Sequence, residues 1–238
     1  MDDLLRAWFE INGRALPWRE TRDPYAILVS EVMLQQTQVE RVLPRWRSWL
    51  ERWPTVAALA GASAADVIRE WQGLGYNRRA VSLHRAAQAV AAAGWPDDLT
   101  ELPGVGPYTG AAIRNQAWGE PVLPVDTNVA RIRERTGHEF APASLQALFD
   151  LGATVCLARI PRCHVCPLAP RCPSRGLRYE PLRKQSRFEG SFRQRRAALL
   201  RLVAEEAQPV GELDHEAMES LVRDGLVRVE DGLVALPA

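Results

Sequence analysis

The sequence predicts a mainly α-helical protein that ends in a small mixed α/β module. Apolar residues recur at helical spacing along most of the chain, and alternating strand patterns are nearly absent before the last dozen residues. All four cysteines fall between residues 156 and 172. A composition of 47% hydrophobic and 25% charged residues is that of an ordinary globular protein and argues against global disorder.

The helices are predicted from periodicity and from capping residues. Residues 23–53, DPYAILVSEVMLQQTQVERVLPRWRSWLERW, show helical spacing, with Asp23 as N-cap and Pro24 at the first helical position. The stretch SAADVIREW begins with a serine cap, and RRAVSLHRAAQAVAAAG ends at a glycine. We therefore expect residues 1–180 to form a helical region that ends in a four-cysteine loop at 156–172.

The C-terminal part changes in character. A basic linker is predicted over 181–190 and a winged-helix-like module over 191–238. The stretches SFRQRRAALLRLVAEEAQ and ELDHEAMESLVRDG are helical, and LVRVEDGLVAL alternates around Asp231 and Gly232, which is typical of a tight hairpin. The second helix is acidic, and this disfavours its insertion into a DNA groove and favours packing or protein contact.

Charge and targeting signals restrict the classes of partner. The net charge is +1, but the segment from Arg159 to Arg201 carries twelve basic residues against Glu180 and Glu189. Such a segment suits a polyphosphate partner or a solvated linker. No apolar run approaches the roughly 18 residues of a membrane span, and MDDLLRAWFEING lacks the pattern of a secretory signal. We expect a cytoplasmic protein.

The four cysteines are predicted to be metal ligands, because a cytoplasmic chain disfavours disulfides. Their spacing is C-x6-C-x2-C-x5-C. Structural zinc sites more often show two C-x2-C pairs. The wider wrap, with prolines that favour extended backbone, favours an iron–sulfur cluster over zinc. The ligands are Cys156, Cys163, Cys166 and Cys172.

The stretch ELPGVGPYTGAAI places two glycines between a short helix and a longer one. Gly104 and Gly106, with Val105 between them, can turn backbone amides outward at a helix N-terminus and so hold a DNA phosphate. A plain inter-helix turn is the alternative. About 20 residues later, PVDTNVARIRERTG puts Asp126 directly before a helix, where the dipole and the free amides favour a carboxylate. It is predicted to be an N-cap.

Glu31 lies among Ile27, Leu28, Val32 and Leu34 on a largely apolar helix. Such surroundings are expected to raise the pKa of its carboxyl group and to keep a proton available near neutral pH. A surface-facing glutamate, or one paired with an arginine, is the alternative. Cleavage of a purine from its sugar needs a proton for the leaving base and a negative charge near the developing oxocarbenium ion.

The segments LPGVGPYTG, PVDTNV and the cysteine loop after LGATVC occur in the order seen in the endonuclease III superfamily of DNA glycosylases, which this chain resembles. LPWRETRDPYAILVSEVMLQQTQVERVLPRW and GLGYNRRAVSLH are similar to its MutY-type adenine glycosylases. The resemblance covers about residues 5–178. It implies the helix–hairpin–helix glycosylase fold and a 4Fe–4S cluster. It also implies a monomer that acts on double-stranded DNA with a damaged or mismatched base pair, in the nucleoid-associated cytoplasm of a bacterium.

The resemblance also implies residue roles. Glu31 would protonate the adenine ring, Asp126 would stabilise the sugar cation, and Tyr108 and Asn128 would organise that site. Gln36 and Tyr76 would fill the gap left by a flipped base. The residues expected to bind substrate are Arg19, Gln36, Thr37, Tyr76 and Gln146.

Bifunctional relatives form a Schiff base with a lysine of the hairpin, where this chain has GVGPYTG. Its only lysine is Lys184. We therefore expect a monofunctional base excision repair glycosylase that removes adenine opposite 8-oxoguanine or guanine. The alternatives are a thymine or uracil mismatch glycosylase of the same fold and a non-catalytic iron–sulfur DNA-binding protein. The C-terminal module resembles the short ending of some MutY-like proteins, so recognition of 8-oxoguanine is left open.

Overall fold

A computed structural model describes residues 1–178 and 187–238. Within these residues the chain is mostly helical, and none of the helices combines the length and hydropathy that a membrane span requires. The α-helices are α1 (Asp2–Asn12), α2 (Pro24–Leu34), α3 (Val39–Arg52), α4 (Val56–Ala60), α5 (Ala64–Glu70), α6 (Arg78–Ala93), α7 (Pro107–Trp118), α8 (Thr127–Thr136), α9 (Leu145–Thr154), α10 (Phe192–Glu205) and α11 (His215–Arg223).

Three short strands near the C-terminus form an antiparallel sheet in the order β1-β3-β2. They are β1 (Gln208–Pro209), β2 (Arg228–Glu230) and β3 (Leu233–Ala235). The predicted hairpin joins β2 to β3, with positive φ at Asp231 (50°) and Gly232 (74°), as a tight two-residue turn requires. Strand β1 was not predicted, because its two residues are ordered only by pairing with Val234 and Leu233 of β3.

The predicted capping residues occupy their expected places. The carboxylate of Asp23 accepts from the amide of Tyr25 at 3.0 Å, and Ser63 accepts from the amide of Asp66 at 3.1 Å. Helix α6 ends at Gly94, whose φ is 81°. These contacts span only two or three residues, so a local sequence signal is enough to predict them.

The stretch 23–53, which is predicted to be helical, forms two helices in the structure, α2 and α3. The break follows Leu34, and Gln36 adopts a left-handed φ of 58°. The carbonyls of Val32 and Met33 would each accept a helical amide four residues later. They instead accept from the guanidinium of Arg79 at 2.8 and 3.0 Å.

The described residues pack into two compact units. The first contains 1–27 and 107–178, and the second contains 28–106 and 187–238. The second unit therefore includes the C-terminal sheet and its two helices. Most of the linker predicted over 181–190 lies outside the described residues, as does Lys184. The three-part division of the chain at 180 and 190 stays a prediction.

Each unit has its own apolar core. In the first unit, Leu5 of α1 packs with Val129 and Ile132 of α8 and with Leu148 and Leu151 of α9, and all five are at most 2% exposed. In the second unit, Trp49 stacks edge-on against Trp53 and Trp71, with ring centroids 4.7 and 5.5 Å away. A further cluster in this unit contains Ile68, Leu199, Leu200, Val203 and Leu221. Burial of such clusters is the main driving force that fixes the helices.

Candidate active site

Asp126 caps helix α8 through both carboxylate oxygens. Oδ1 accepts from the amides of Asn128 at 2.9 Å and Val129 at 2.7 Å, and Oδ2 accepts from the side-chain amide of Asn128 at 3.0 Å. The capping role predicted from PVDTNV is therefore observed. The three donors fix the rotamer of Asp126.

Asn128 connects this cap to the start of the cysteine loop. Its Oδ1 accepts from Nη2 of Arg131 at 2.7 Å. The same guanidinium donates to the carbonyls of Gly152 and Cys156, each at 2.9 Å. Burial lowers the pKa of Arg131, with a smaller opposing contribution from the nearby Cys156. Arg131 thus ties the position of Asn128 to the backbone of the cysteine loop.

Helix α9 approaches Asn128 very closely at Gly152. A Cβ at this position would lie 2.5 Å from the Cβ of Asn128, which real side chains do not tolerate. Only glycine therefore allows α9 to pack against the first turn of α8. Gly152 lies within the LGATVC segment, but the sequence alone did not reveal this packing role.

Arg19 forms a buried, bidentate ion pair with Asp150 of α9. Nη1 and Nη2 of Arg19 donate to the two carboxylate oxygens at 3.0 and 2.7 Å. Arg14 donates to the same carboxylate from its backbone amide and from Nε, both at 2.8 Å. The Asp150 side chain is fully buried, and burial acts to raise its pKa, but the donors from Arg19 and Arg14 outweigh this effect and lower it.

Gln146 lies on α9 one turn before Asp150. Its Nε2 donates to Oε1 of Gln116 on α7 at 3.1 Å. The carbonyl of Gln116 in turn accepts from Nη1 of Arg22 at 2.6 Å. Tyr108, in the first turn of α7, is half-buried, and its ring lies 6.4 Å from that of Phe149. Arg19, Tyr108 and Gln146 thus all belong to the first unit and connect to α7 or α9.

Glu31 lies on α2 and is 5% exposed. Its neighbours Leu28, Val32 and Met33 are at most 2% exposed, so the expected apolar surroundings are present. A buried carboxyl group is rare in proteins. The surface-facing alternative considered for Glu31 is therefore excluded.

Gln36 and Tyr76 lie at the tips of two short loops, loop 35–37 and loop 73–76, and both have left-handed backbone, with φ of 58° and 47°. Such angles cost a residue with a side chain about 1–2 kcal/mol. Arg79, 8% exposed, holds both loops. It donates to the carbonyl of Gln35 at 2.6 Å, to the hydroxyl of Thr37 at 3.1 Å, and to the carbonyls of Leu74, Gly75 and Tyr76 at 3.2, 2.8 and 3.3 Å.

Gly104 and Gly106 of the LPGVGPYTG turn differ in backbone angle and in the space around them. Gly104 has a φ of 80°, and a Cβ there would lie 2.7 Å from the Cβ of Ser82. Gly106 has no positive φ and has open space where a Cβ would be. Of the two glycines, only Gly104 therefore has a backbone angle that favours glycine. Val105 between them is 5% exposed and anchors the turn in the core.

The four cysteines line one small cavity of about 20 Å³, together with Ile132, Arg135 and Leu151 among others. Nη1 of Arg135 lies 3.4 Å from Sγ of Cys156 and also donates to the carbonyl of Leu157 at 2.7 Å. The amide of Gly176 donates to Sγ of Cys163 at 3.4 Å. The fold therefore brings all four thiols to one place with donors directed at two of them, as thiolate ligands require.

The thiols of Cys166 and Cys172 are not free surface groups. Burial raises the pKa of both, and their neighbouring cysteines add to the effect. Among the described residues, no group of three or more His, Cys, Asp or Glu side chains is arranged to hold a metal ion.

Comparison with known proteins decides the family. Residues 29–141 match the HhH-GPD superfamily of base excision DNA repair proteins. Adenine DNA glycosylase of Mycobacterium tuberculosis is 42% identical over an alignment 284 positions long, which covers 99% of this chain and 93% of the relative. The chain belongs to the adenine DNA glycosylase family. The human adenine DNA glycosylase is 37% identical over 210 residues, which cover 72% of this chain and 38% of the human protein.

The fold of this adenine DNA glycosylase family member is shared with solved structures of other glycosylases. A thermostable thymine-DNA glycosylase matches with a TM-score of 0.66 and 24% identity, over 73% of this chain and 94% of that one. An endonuclease III in a non-covalent DNA complex matches with a TM-score of 0.63 and 20% identity, over 73% and 92%. The predicted helix–hairpin–helix glycosylase fold is confirmed.

Four residues that hold the candidate site residues in place within the two units were not found from the sequence. They are Arg79, Arg131, Asp150 and Gly152. Each has a partner at least 21 residues away in the chain, although Arg79 and Arg131 also contact residues within five positions of themselves. A buried aspartate on an apolar helix was the one available signal, in LQALFDLG. The same kind of signal did lead to Glu31.

Proposed function

We propose that this chain is a monofunctional glycosylase that hydrolyses the N-glycosidic bond of adenine mispaired with 8-oxoguanine or guanine in double-stranded DNA. The similarity to adenine DNA glycosylases along nearly the whole chain carries this proposal. The likeness to a thymine-DNA glycosylase concerns the fold and does not favour thymine as the substrate. The chain acts as a monomer.

Glu31 is the general acid in the proposed mechanism. Its burial, at 5% exposure among apolar residues of α2, supports this role because a desolvated carboxyl group retains its proton more readily. Protonation of the adenine ring converts the base into a better leaving group. A general acid of this kind contributes about 10²- to 10⁴-fold to the rate.

Asp126 supplies the negative charge that stabilises the oxocarbenium ion. The two backbone amides on Oδ1 and the Asn128 amide on Oδ2 support this role, since they hold a carboxylate in one orientation. A fixed charge needs little reorganisation when the sugar becomes cationic. Asn128 is a positioning residue here, and Arg131 supports Asn128 in turn.

Gln36 and Tyr76 occupy the space left by the flipped adenosine, and Thr37 supports loop 35–37 through Arg79. Their strained backbone and the exposure of Gln36 and Tyr76 support this role, because strain of this kind is retained at functional positions. The turn at Gly104, Val105 and Gly106 binds a phosphate through its amides. Arg19 and Gln146 border the adenine pocket.

Cys156, Cys163, Cys166 and Cys172 hold a 4Fe–4S cluster in this proposal. The shared cavity supports it. One zinc ion needs all its ligands within about 2.3 Å of a single point, whereas a four-iron cluster binds each thiolate at a different iron. The wide spacing of the four cysteines in the sequence suits the cluster. When bound, the cluster would cross-link the loop, and no bond-breaking step depends on it.

The substrate is tested with four duplexes that hold adenine opposite 8-oxoguanine, adenine opposite guanine, thymine opposite guanine and uracil opposite guanine. Base release is measured under single-turnover conditions with enzyme in excess. Release of adenine alone is expected. Release of thymine or uracil alone would show that the protein is a thymine or uracil mismatch glycosylase instead. Binding without release of any base would indicate a non-catalytic DNA-binding protein.

The Glu31→Gln variant tests the acid. We expect adenine release to fall by about 100-fold or more while affinity for the duplex stays within about twofold, because glutamine keeps the shape and removes the proton. The Asp126→Asn variant should show a similar loss, since the amide keeps a capping oxygen but removes the charge. The exposed Glu40→Gln on α3 serves as the control. An active Glu31→Gln variant would refute the mechanism.

A further inference from the structure

The second unit contains a large open cavity, which we call the arginine groove. Its volume is about 940 Å³. Gln36 of loop 35–37, Tyr76 of loop 73–76 and Gly104 of the hairpin line one part of it, and helix α10 of the C-terminal module lines another. The residues proposed to engage DNA therefore share one cavity with a module whose role the sequence left unassigned.

The lining of this groove is strongly basic. Among the described residues it includes six arginines and one carboxylate: Arg41, Arg78, Arg79, Arg193, Arg196, Arg201 and Asp224. Asp224 is engaged by Nη2 of Arg196 and lies 3.4 Å from Nε of Arg78. Arg79 is satisfied by backbone carbonyls. With one carboxylate against six arginines, the described lining carries a large excess of positive charge.

Helix α10 is held firmly beside the two loops. Leu199, Leu200 and Val203 on this helix belong to the same buried cluster as Ile68 of α5. Nε of Arg69 donates to the carbonyl of Ala204 at 3.1 Å. The arginines of α10 therefore have defined positions in the groove wall, which a module on a loose tether would not provide.

The acidic residues of the module are separate from this wall. Asp214 and Glu216, at the start of α11, accept from the two Nη atoms of Arg195, each at 2.7 Å. Neither they nor Arg195 line the groove. The acidic character that disfavours DNA contact is therefore a property of α11, whereas α10 presents Arg193 and Arg201 to the groove.

We propose that α10 is part of the DNA-binding surface, and that Arg193 and Arg201 contact the phosphodiester backbone close to the nucleotides displaced by Gln36 and Tyr76. Arg41, exposed on α3, supplies positive charge from outside the module. Charge complementarity identifies the occupant, because a duplex offers a dense row of phosphates and six arginines in one groove suit it. This inference rests on the proposed function, since it takes the substrate to be DNA.

The test is the Arg193→Gln/Arg201→Gln double variant. Its affinity is measured as a function of KCl concentration for a labelled duplex that carries a stable abasic-site analogue opposite guanine. We expect about 10-fold weaker binding at low salt. The slope of log K against log salt should become shallower by about 2, since each phosphate contact contributes about 0.9.

The control is Arg223→Gln/Arg228→Gln, which removes the same charge from exposed positions of the same module outside the groove lining. It should bind like the parent protein. An equal loss in both double variants, or no change in the groove variant, would overturn the proposal. The single variant Arg201→Gln alters an exposed side chain and keeps the test valid if the double variant folds poorly. Arg201→Lys should restore most of the affinity.

The two proposals fail separately. If the parent protein releases no adenine but binds the abasic duplex, and the groove variant weakens that binding, the catalytic proposal fails and the groove remains a DNA contact. If adenine release is normal and the groove variant binds as the parent does, the groove proposal fails alone.

Discussion

Nη1 of Arg79 donates a 2.6 Å hydrogen bond to the carbonyl of Gln35, the residue directly before Gln36. The same side chain donates to the carbonyl of Gly75, directly before Tyr76, at 2.8 Å. One buried cation therefore sets the backbone of both loops. Burial lowers the pKa of Arg79 to about 10, so it remains charged at neutral pH. Its charge also opposes the negative end of the α2 dipole.

Replacement of Arg79 by Met should lower the free energy of unfolding by about 3 kcal/mol, because several buried carbonyls lose their donor. It should also slow base flipping, measured by 2-aminopurine fluorescence in a duplex at a temperature where the variant is folded. Arg79→Lys keeps the charge, and its stability should lie between those of the parent protein and the Arg79→Met variant. Arg47→Met, on the exposed face of α3, is the matched control. Normal flipping in a folded Arg79→Met variant would contradict the positioning role.

Asp150 and Arg19 should show strong energetic coupling. A double-mutant cycle with Asp150→Asn and Arg19→Gln, measured by urea unfolding, is expected to give a coupling free energy of about 1–3 kcal/mol. Asp150→Asn removes the carboxylate that Arg19 pairs with, and Arg19→Gln leaves Asp150 with Arg14 alone. The same cycle on the pair Asp3 and Arg6, whose side chains are 98% and 62% exposed, should give a coupling free energy of about 0–0.5 kcal/mol. If the losses of stability from the two single variants simply add in the double variant, the observed contact does not contribute to stability.

The metal content of the purified protein separates the two metals considered from the spacing. Elemental analysis should give about four iron atoms and four sulfides per chain, with visible absorbance typical of a 4Fe–4S centre. Cys166→Ser should lose the iron and lower the melting temperature, because the loop loses its cross-link. Stoichiometric zinc with no iron would show that the cluster assignment is wrong.

Reaction with an abasic duplex in the presence of borohydride should trap no covalent adduct. Schiff-base formation needs an uncharged amine near the sugar, and the only lysine of the chain is Lys184. Endonuclease III serves as the positive control. If an adduct forms, Lys184→Arg and peptide mapping would identify the amine, and the monofunctional assignment would be withdrawn.

The Asp2 carboxylate should make stability depend on acid pH. It accepts from Ser144 Oγ at 2.6 Å, His138 Nε2 at 2.8 Å and the Ala141 amide at 3.0 Å. Burial acts to raise its pKa, but these hydrogen bonds outweigh burial and lower the pKa from 3.8 to about 2. The folded-state pKa is depressed, so the stabilisation is complete above about pH 4 and is lost as pH falls towards 2.

The Asp2→Asn variant should therefore be about 1 kcal/mol less stable than the parent protein at pH 7, and this difference should shrink below pH 4. Urea unfolding across this range measures it. Asp3→Asn, at a side chain 98% exposed, should show no such dependence. A constant difference between parent and Asp2→Asn at all pH values would refute the explanation.

The sequence by itself determined the features whose physics is local. Asp126 caps α8 through amides two and three residues ahead, and the Asp231–Gly232 turn needs only its own two backbone angles. The clustering of the cysteines, the apolar flanks of Glu31 and the helical character of the chain are likewise contained in short windows. These features also carried the resemblance that identified the superfamily.

Only the tertiary structure decided where longer-range partners meet. The helical stretch 23–53 divides into α2 and α3 where Arg79, more than 40 residues away, donates to the carbonyls at the end of α2. Asp150 meets Arg19 across 131 residues. The basic wall of α10 follows from its packing on α5. No periodicity encodes such pairings, because each depends on which faces become buried together when the core forms.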